Sequence, residues 1–187
     1  MPVVDLRSDP QLLAAHRSGE RGAFDELVRR HGDRLWSVAY RTLRDPEDAA
    51  DVLQEALEAA YRRAAAFRGE SAVSTWLHRI VVNKCVDRVR HDRARPPSAR
   101  RLTAARTERE PIALDPAERA TERLAVVDAL HQLPVEQRMA IVLVDVEGYP
   151  VAEAAAILEV PVGTVKSRCA RGRVRLAALL GHLREEA

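Results

Sequence analysis

Apolar residues recur at spacings of three and four along most of this chain, the period that gives a helix one buried face. Asp9-Pro10 opens the pattern as a helix start, with an aspartate cap and proline at the first helical position, and Gly19 closes it. A second stripe runs through Phe24, Leu27, Val28, His31, Leu35, Val38 and Thr42, passing over Gly32. Asp45-Pro46-Glu47-Asp48 repeats the start signal and puts carboxylates in the first turn, where the helix dipole favours them. In the helix it predicts, Ala49, Val52, Leu53, Ala56, Leu57, Ala60 and Tyr61 form the core side, and Asp48, Asp51, Gln54, Glu55, Glu58 and Arg62 the other. Gly and small polar residues break the pattern from Phe67 to Ser74, and Thr75 to Arg90 resume it. These elements predict a four-helix domain ending near Arg93, whose last helix carries Trp76, Arg79, Asn83, Asp87 and Arg90 on one flank.

Residues Ala94 to Glu118 lose the periodicity and carry four prolines and five arginines, the composition of a linker. It returns at Leu124, Val127, Leu130 and Leu133, stops at Pro134, and resumes through Met139, Val142, Leu143 and Val146 to Gly148. A short alanine-rich helix follows from Pro150 to Glu159, ended by Val160-Pro161. The next helix has six cations (Lys166, Arg168, Arg171, Arg173, Arg175, Arg184) and no carboxylate as far as Arg184, with Val165, Cys169, Val174, Leu176, Leu179 and Leu180 on its apolar side. Two short helices with a tight junction and a basic second member make a helix-turn-helix, whose second helix enters the DNA major groove. The competing reading of this segment alone is a solvated basic face on an ordinary C-terminal helix.

With 47% apolar but only 4% aromatic residues, the core must be built mainly from Leu, Val and Ala, the usual mix of packed helices. A net charge of +2 does not announce nucleic acid; its distribution does, with acid concentrated between Asp45 and Glu58 and base near the C-terminus. No apolar run approaches the roughly 20 residues of a membrane span, and the N-terminus lacks a signal-peptide core, so a soluble, cytoplasmic protein is expected. Cys85 and Cys169 have no metal-ligand spacing and read as packed small hydrophobes. The six histidines are scattered, and no serine, cysteine or carboxylate pair forms an acid/base or nucleophile constellation. No enzymatic activity, cofactor or metal is expected.

Four segments in this order carry a family resemblance: Asp45-Pro-Glu-Asp-Ala-Ala-Asp-Val-Leu-Gln-Glu55; Phe67-Arg-Gly-Glu with Thr75-Trp-Leu-His-Arg-Ile-Val-Val-Asn83; Leu133-Pro-Val-Glu-Gln-Arg138; and Gly163-Thr-Val-Lys-Ser-Arg168. With them the chain resembles, over nearly its whole length, a bacterial sigma factor of the sigma-70 family, extracytoplasmic-function group. Trp76 to Cys85 and Gly163 to Arg171 are similar to the actinobacterial sigma-M type.

The resemblance implies an all-α fold of two small domains joined by a flexible linker: region 2 over residues 1–93, a linker over 94–120, and region 4 over 121–187. Region 2 would dock on the beta-prime clamp helices of core RNA polymerase and open the −10 element; region 4 would bind the beta flap and read the −35 element. Asp51, Gln54 and Glu55 match the polymerase-binding segment, and Asp48 and Glu58 extend the same stripe. Phe67, Ile80 and Asn83 match positions surrounding a base extruded from the melted strand, where an amide pairs with a base edge and a ring stacks. Arg79 and Arg90 lie in the same row, and Trp76 is read as a core anchor for the loop. Thr164, Lys166, Ser167, Arg168, Arg171 and Arg173 match the −35 reading helix, in which some side chains reach bases and others hold phosphates. Family members are typically restrained by an anti-sigma factor, often membrane-bound, so the implied partners are polymerase, promoter DNA and such an inhibitor, with no small-molecule substrate. The implied location is the nucleoid, or near the membrane when held there.

The chain departs from the family pattern at four points. Val73 stands where a larger aromatic is common; Pro150 replaces a small polar cap and leaves Glu153 without a capping-box partner, at ~1 kcal/mol. Glu159 takes a turn position commonly held by glycine, and Ala170 trims the reading helix, so an unusual −35 preference is expected. The 25 residues from Ala94 to Glu118 span at most roughly 80 to 90 Å, enough to connect modules about two DNA turns apart at ~34 Å per turn.

The rival reading is a dimeric helix-turn-helix regulator that binds paired half-sites without polymerase. It explains residues 121–187 equally well, but not the acidic stripe followed by Phe67, Trp76 and Asn83.

Overall fold

A computed structural model describes residues 5–94 and 117–181, and the regular elements among them are all helical. The first cap sits one residue earlier than expected. α1 (Asp9–Arg17) is capped by Ser8, whose N–H donates to Gln11 Oε1 at 2.8 Å. Asp9 is thereby free to accept from Arg30 at 3.0 Å and His31 at 2.7 Å, tying α1 to α2 (Ala23–Leu43). α3 (Pro46–Arg63) starts as its sequence predicts, with Asp45 accepting from the N–H groups of Glu47 and Asp48 at 2.8 and 3.0 Å. A single 3-10 turn, Ala64–Ala66, leads through the Phe67 loop into α4 (Val73–Ala94), which begins two residues before the expected Thr75.

α5 (Ala117–His131) starts inside the segment expected to be linker, so residues 117–120 are helical; residues 95–116 of that segment lie outside the described residues. α6 (Val135–Ile141) widens into a π turn, Val142–Val146, before Gly148 reverses the chain at φ 73°. α7 (Val151–Leu158) and α8 (Val162–Leu179) form the helix-turn-helix. Pro150 gives α7 no side-chain cap, as expected, and Glu159 ends it in the left-handed conformation at φ 53°. The N–H of Val160 reaches back to Ala155 O at 3.1 Å, the closing bond of a Schellman turn. Gly172 lets α8 approach α6 closely, since a Cβ there would lie 2.9 Å from Ile141 Cγ1.

Two cores result. Leu12, Leu27, Leu35, Val52, Leu77, Val81 and Cys85 fill the first; Leu130, Leu133, Met139, Leu143, Ile157, Val165 and Cys169 fill the second. The second core also contains Val38 of α2 and Val82 of α4, so the two domains share it. Val81 and Val82 are neighbours about 100° apart around α4, and each is buried in a different core. Val86 and Val89 continue the second face.

Four expected core residues are instead exposed: Tyr61 (56%), Leu124 (46%), Val146 (39%) and Val174 (73%). Val174 follows Val165 by nine residues, about half a revolution at 100° per residue. The actual stripe is Val165, Cys169, Gly172 and the half-buried Leu176.

Candidate nucleic-acid interface

α3 turns its apolar side into the first core and its acidic side outward, but not all of that acid is free. Arg88 of α4 binds Asp48, and Lys84 holds Glu55 at 3.0 Å. Burial pushes the Asp48 carboxyl up, with Arg88 opposing. Asp51, Gln54 and Glu58 remain exposed, with Gln54 Nε2 donating to Glu58 Oε1 at 3.2 Å and Arg62 lying 3.6 Å from Glu58. Lys84 and Arg88 were not singled out from sequence; they trim the acidic stripe to its outer row.

On α4 the aromatic loop forms a cleft of about 290 Å³ lined by Ala66, Phe67, Arg68, Glu70, Ser71, Trp76 and Arg79. The Phe67 and Trp76 rings are 5.2 Å apart, both half-buried. Trp76 therefore anchors the loop and lines the cleft as well. Asn83 and Arg90 are exposed further along the helix, while Ile80 is 8% exposed and belongs to the first core behind them. Arg79 is engaged: Nε and Nη2 donate to Ala156 O of α7 at 3.2 and 2.9 Å, and Nη1 lies 3.5 Å from Glu159.

α8 packs its Val165 stripe on α6 and α7, leaving Lys166, Ser167, Ala170, Arg171 and Val174 exposed on the opposite side and its flanks. Ser167 donates to Thr164 O at 3.0 Å, and Arg171 Nη2 reaches Ser167 Oγ at 3.4 Å. Arg173 is held by Asp145 through two bonds of 3.0 and 2.7 Å. Arg168 is half-buried, and neither it nor Lys166 pairs with a carboxylate among the described residues. The face is cationic with a small, flat centre at Ala170, suited to lying in a groove.

Between the domains lies a polar seam absent from the sequence expectation. Tyr149 Oη sits 3.1 Å from Nδ1 of the buried His78, and the Arg34 guanidinium stands 4.8 Å over the Tyr149 ring. Arg34 donates to Glu147 O at 2.6 Å and Ser37 to the Glu147 carboxylate. Burial holds the His78 pKa down, to about 4. Arg138, 4% exposed, donates to the carbonyls of Leu130 (2.9 Å), His131 (2.7 Å) and Leu133 (3.2 Å) and to Thr42 O.

A family model described as Sigma-70 region 2 matches residues 27–95, and one described as Sigma-70, region 4 matches residues 123–176. The chain is 52% identical to the ECF RNA polymerase sigma factor SigM of Mycobacterium tuberculosis, covering 95% of this chain and 87% of that one. It is 36% identical to the ECF RNA polymerase sigma-E factor of Escherichia coli, covering 89% and 91%. Among solved structures, CnrH in complex with the cytosolic domain of CnrY superposes at TM-score 0.70 with 32% identity, covering 94% of this chain and 99% of that one. The sigma factor RpoE of Bartonella quintana, in complex with the anti-sigma factor NepR, superposes at 0.67 with 27% identity, covering 86% and 98%.

Proposed function

This chain belongs to the ECF group of sigma-70 RNA polymerase sigma factors, and from that premise we propose how its faces divide the work. Sigma factors direct a polymerase rather than catalyse a reaction of their own, and we assign the chain no catalytic activity. Residues 1–93 serve as region 2 and 121–187 as region 4, with 94–120 between them. α3 meets core polymerase through Asp51, Gln54 and Glu58, with Asp48 and Glu55 steadied by α4. The Phe67–Trp76 cleft takes a base from the opened −10 strand, with Asn83 pairing and Ile80 as apolar backing. Arg79 and Arg90 add cations along that path. Thr164, Lys166, Ser167, Arg168, Arg171 and Arg173 engage the −35 element.

One observation carries this reading over a stand-alone regulator: the same chain presents an acidic outward row on α3 and an aromatic cleft on α4 besides its basic α8. A dimeric repressor has use only for the last.

The similar sigma factor solved with the anti-sigma factor NepR supports an inhibitor of the anti-sigma kind for this chain, binding both domains at once. Among the described residues no helix is long and apolar enough to cross a membrane. We place the protein in the cytoplasm at the nucleoid, or near the membrane when an anchored inhibitor holds it.

Transcription with core polymerase on a promoter library tests the assignment, and Asn83→Ala tests the base contact. That variant is expected to lose opening on duplex promoters more than closed-complex formation, read by permanganate footprinting. Equal loss on a premelted template whatever base is extruded removes Asn83 from the role.

A further inference from the structure

Glu159 stands in a left-handed turn, at φ 53°, between the two helices of the DNA-reading unit. An ordinary L residue is strained there, and glycine would fit at lower cost. Nothing inside the second domain explains the glutamate: its side chain is 55% exposed and its one ion pair among the described residues is with Arg79 of the first domain. Arg79 also donates twice to Ala156 O, a carbonyl in the last turn of α7. There the next turn's N–H groups are missing and the helix dipole is negative, so a cation is favoured. The turn and the arginine meet at three points: two carbonyl bonds and one carboxylate.

We propose that Glu159 and the α7 terminus form a latch that holds the helix-turn-helix on α4 by engaging Arg79, keeping the free chain closed. The strained residue turns its carboxylate toward the other domain. In the closed state Arg79, which also lines the Phe67–Trp76 cleft, donates to region 4 instead of to DNA. The −10 and −35 faces then belong to one compact body, although promoter elements lie about two helical turns apart, at ~34 Å per turn. Opening of the domains parts the latch together with the shared packing around Val82 and frees Arg79 for the promoter strand. The consequence for promoter opening rests on the −10 role given to Arg79; the latch does not.

The test is energy transfer in the full chain, free of polymerase and promoter, between dyes on cysteines introduced at the exposed positions Arg21 and Ala178. The native Cys85 and Cys169 are buried, and burial pushes the Cys85 thiol up to about 12, so labelling falls on the introduced sites. Glu159→Gln removes the charge at constant size; Glu159→Gly removes it and relieves the turn. Both are expected to raise the open population about two- to fivefold, the range of an exposed ion pair, with a shallower response to added salt than the parent chain. Circular dichroism confirms that both variants keep their helices. An unchanged open population in Glu159→Gln overturns the latch, whatever Glu159→Gly does, because turn geometry alone would then account for any effect. Promoter opening as complete in the Arg79→Ala, Glu159→Gln double variant as in Glu159→Gln alone sinks the −10 role given to Arg79 and leaves the latch standing.

Discussion

Arg138 donates to the main-chain carbonyl of Thr42, 96 residues away, across the boundary between the two domains. The same guanidinium takes three carbonyls at the end of α5, so the C-terminal ends of α2 and α5 converge on one buried cation. Helix C-termini carry orphan acceptors and negative partial charge, and a planar five-donor group satisfies several at once. Thr42 adds its own contact, 3.1 Å from Met139 Sδ.

Arg138→Met keeps much of the volume but strands those carbonyls, each costing about 1 to 3 kcal/mol when buried and unpaired. The expected loss is roughly 3 kcal/mol or more in urea unfolding. Arg138→Lys should recover only part of it, because a point charge cannot serve diverging acceptors. Full stability in the lysine variant would argue against the fork geometry.

Acid should loosen the domain seam before it unfolds the helices. His78 is buried against Tyr149, and its pKa is lowered by desolvation to about 4, with Arg34 also lowering it and the Ser74 carbonyl and Glu147 opposing. A lowered histidine pKa means the unfolded or undocked chain binds the proton more readily. Stability is therefore fully present above the unfolded value near 6.5 and declines as pH falls toward 4. The limiting slope is about 1.4 kcal/mol per pH unit. His78→Gln should flatten this slope in pH-dependent denaturation, and a slope unchanged by that substitution would assign the acid sensitivity elsewhere.

Asp51→Arg should weaken binding to core polymerase by tenfold or more, about 1.4 kcal/mol, without altering the melting temperature, since the side chain is exposed and bears no ion pair among the described residues. Asp48→Ala is the contrasting case: it breaks the Arg88 contact within region 2, so part of its effect should appear as lost stability. A pull-down titration run beside thermal melts separates the two. Equal affinity for Asp51→Arg and the parent chain would falsify the polymerase face.

On α8, Lys166→Ala and Arg171→Ala should each cost about 1 to 3 kcal/mol and relax preference at one −35 position. Arg173 is already oriented by Asp145, toward the flank rather than the outer centre. Arg173→Ala should weaken all sequences alike and lower the salt slope by about one. Selections on randomised −35 elements, repeated at two salt concentrations, distinguish a reader from a phosphate contact.

The sequence by itself determined which segments are helices, because the cap-and-proline pair at Asp45-Pro46, the proline in the first turn of α1 and apolar repeats every three or four residues are local signals. It also determined which faces carry charge: a row on α3 and a cluster on α8 depend only on helical period. What it could not specify was the destination of faces that serve two partners. Val81 and Val82 read as one apolar run, yet they enter different cores, and no periodicity distinguishes a helix buried on two sides from one with a broad stripe. Tyr61 and Val174 read as core and stand exposed, because local hydrophobicity does not state where a neighbouring helix ends. Arg79, Arg138 and Glu159 read as a DNA contact, a motif residue and an odd turn. Their common meaning appears only when α7 is laid on α4 and α6 on α2, since hydrogen bonds to main-chain carbonyls leave no mark in the identity of the acceptor residue. Tertiary structure alone decided that the two domains share a core and a polar seam.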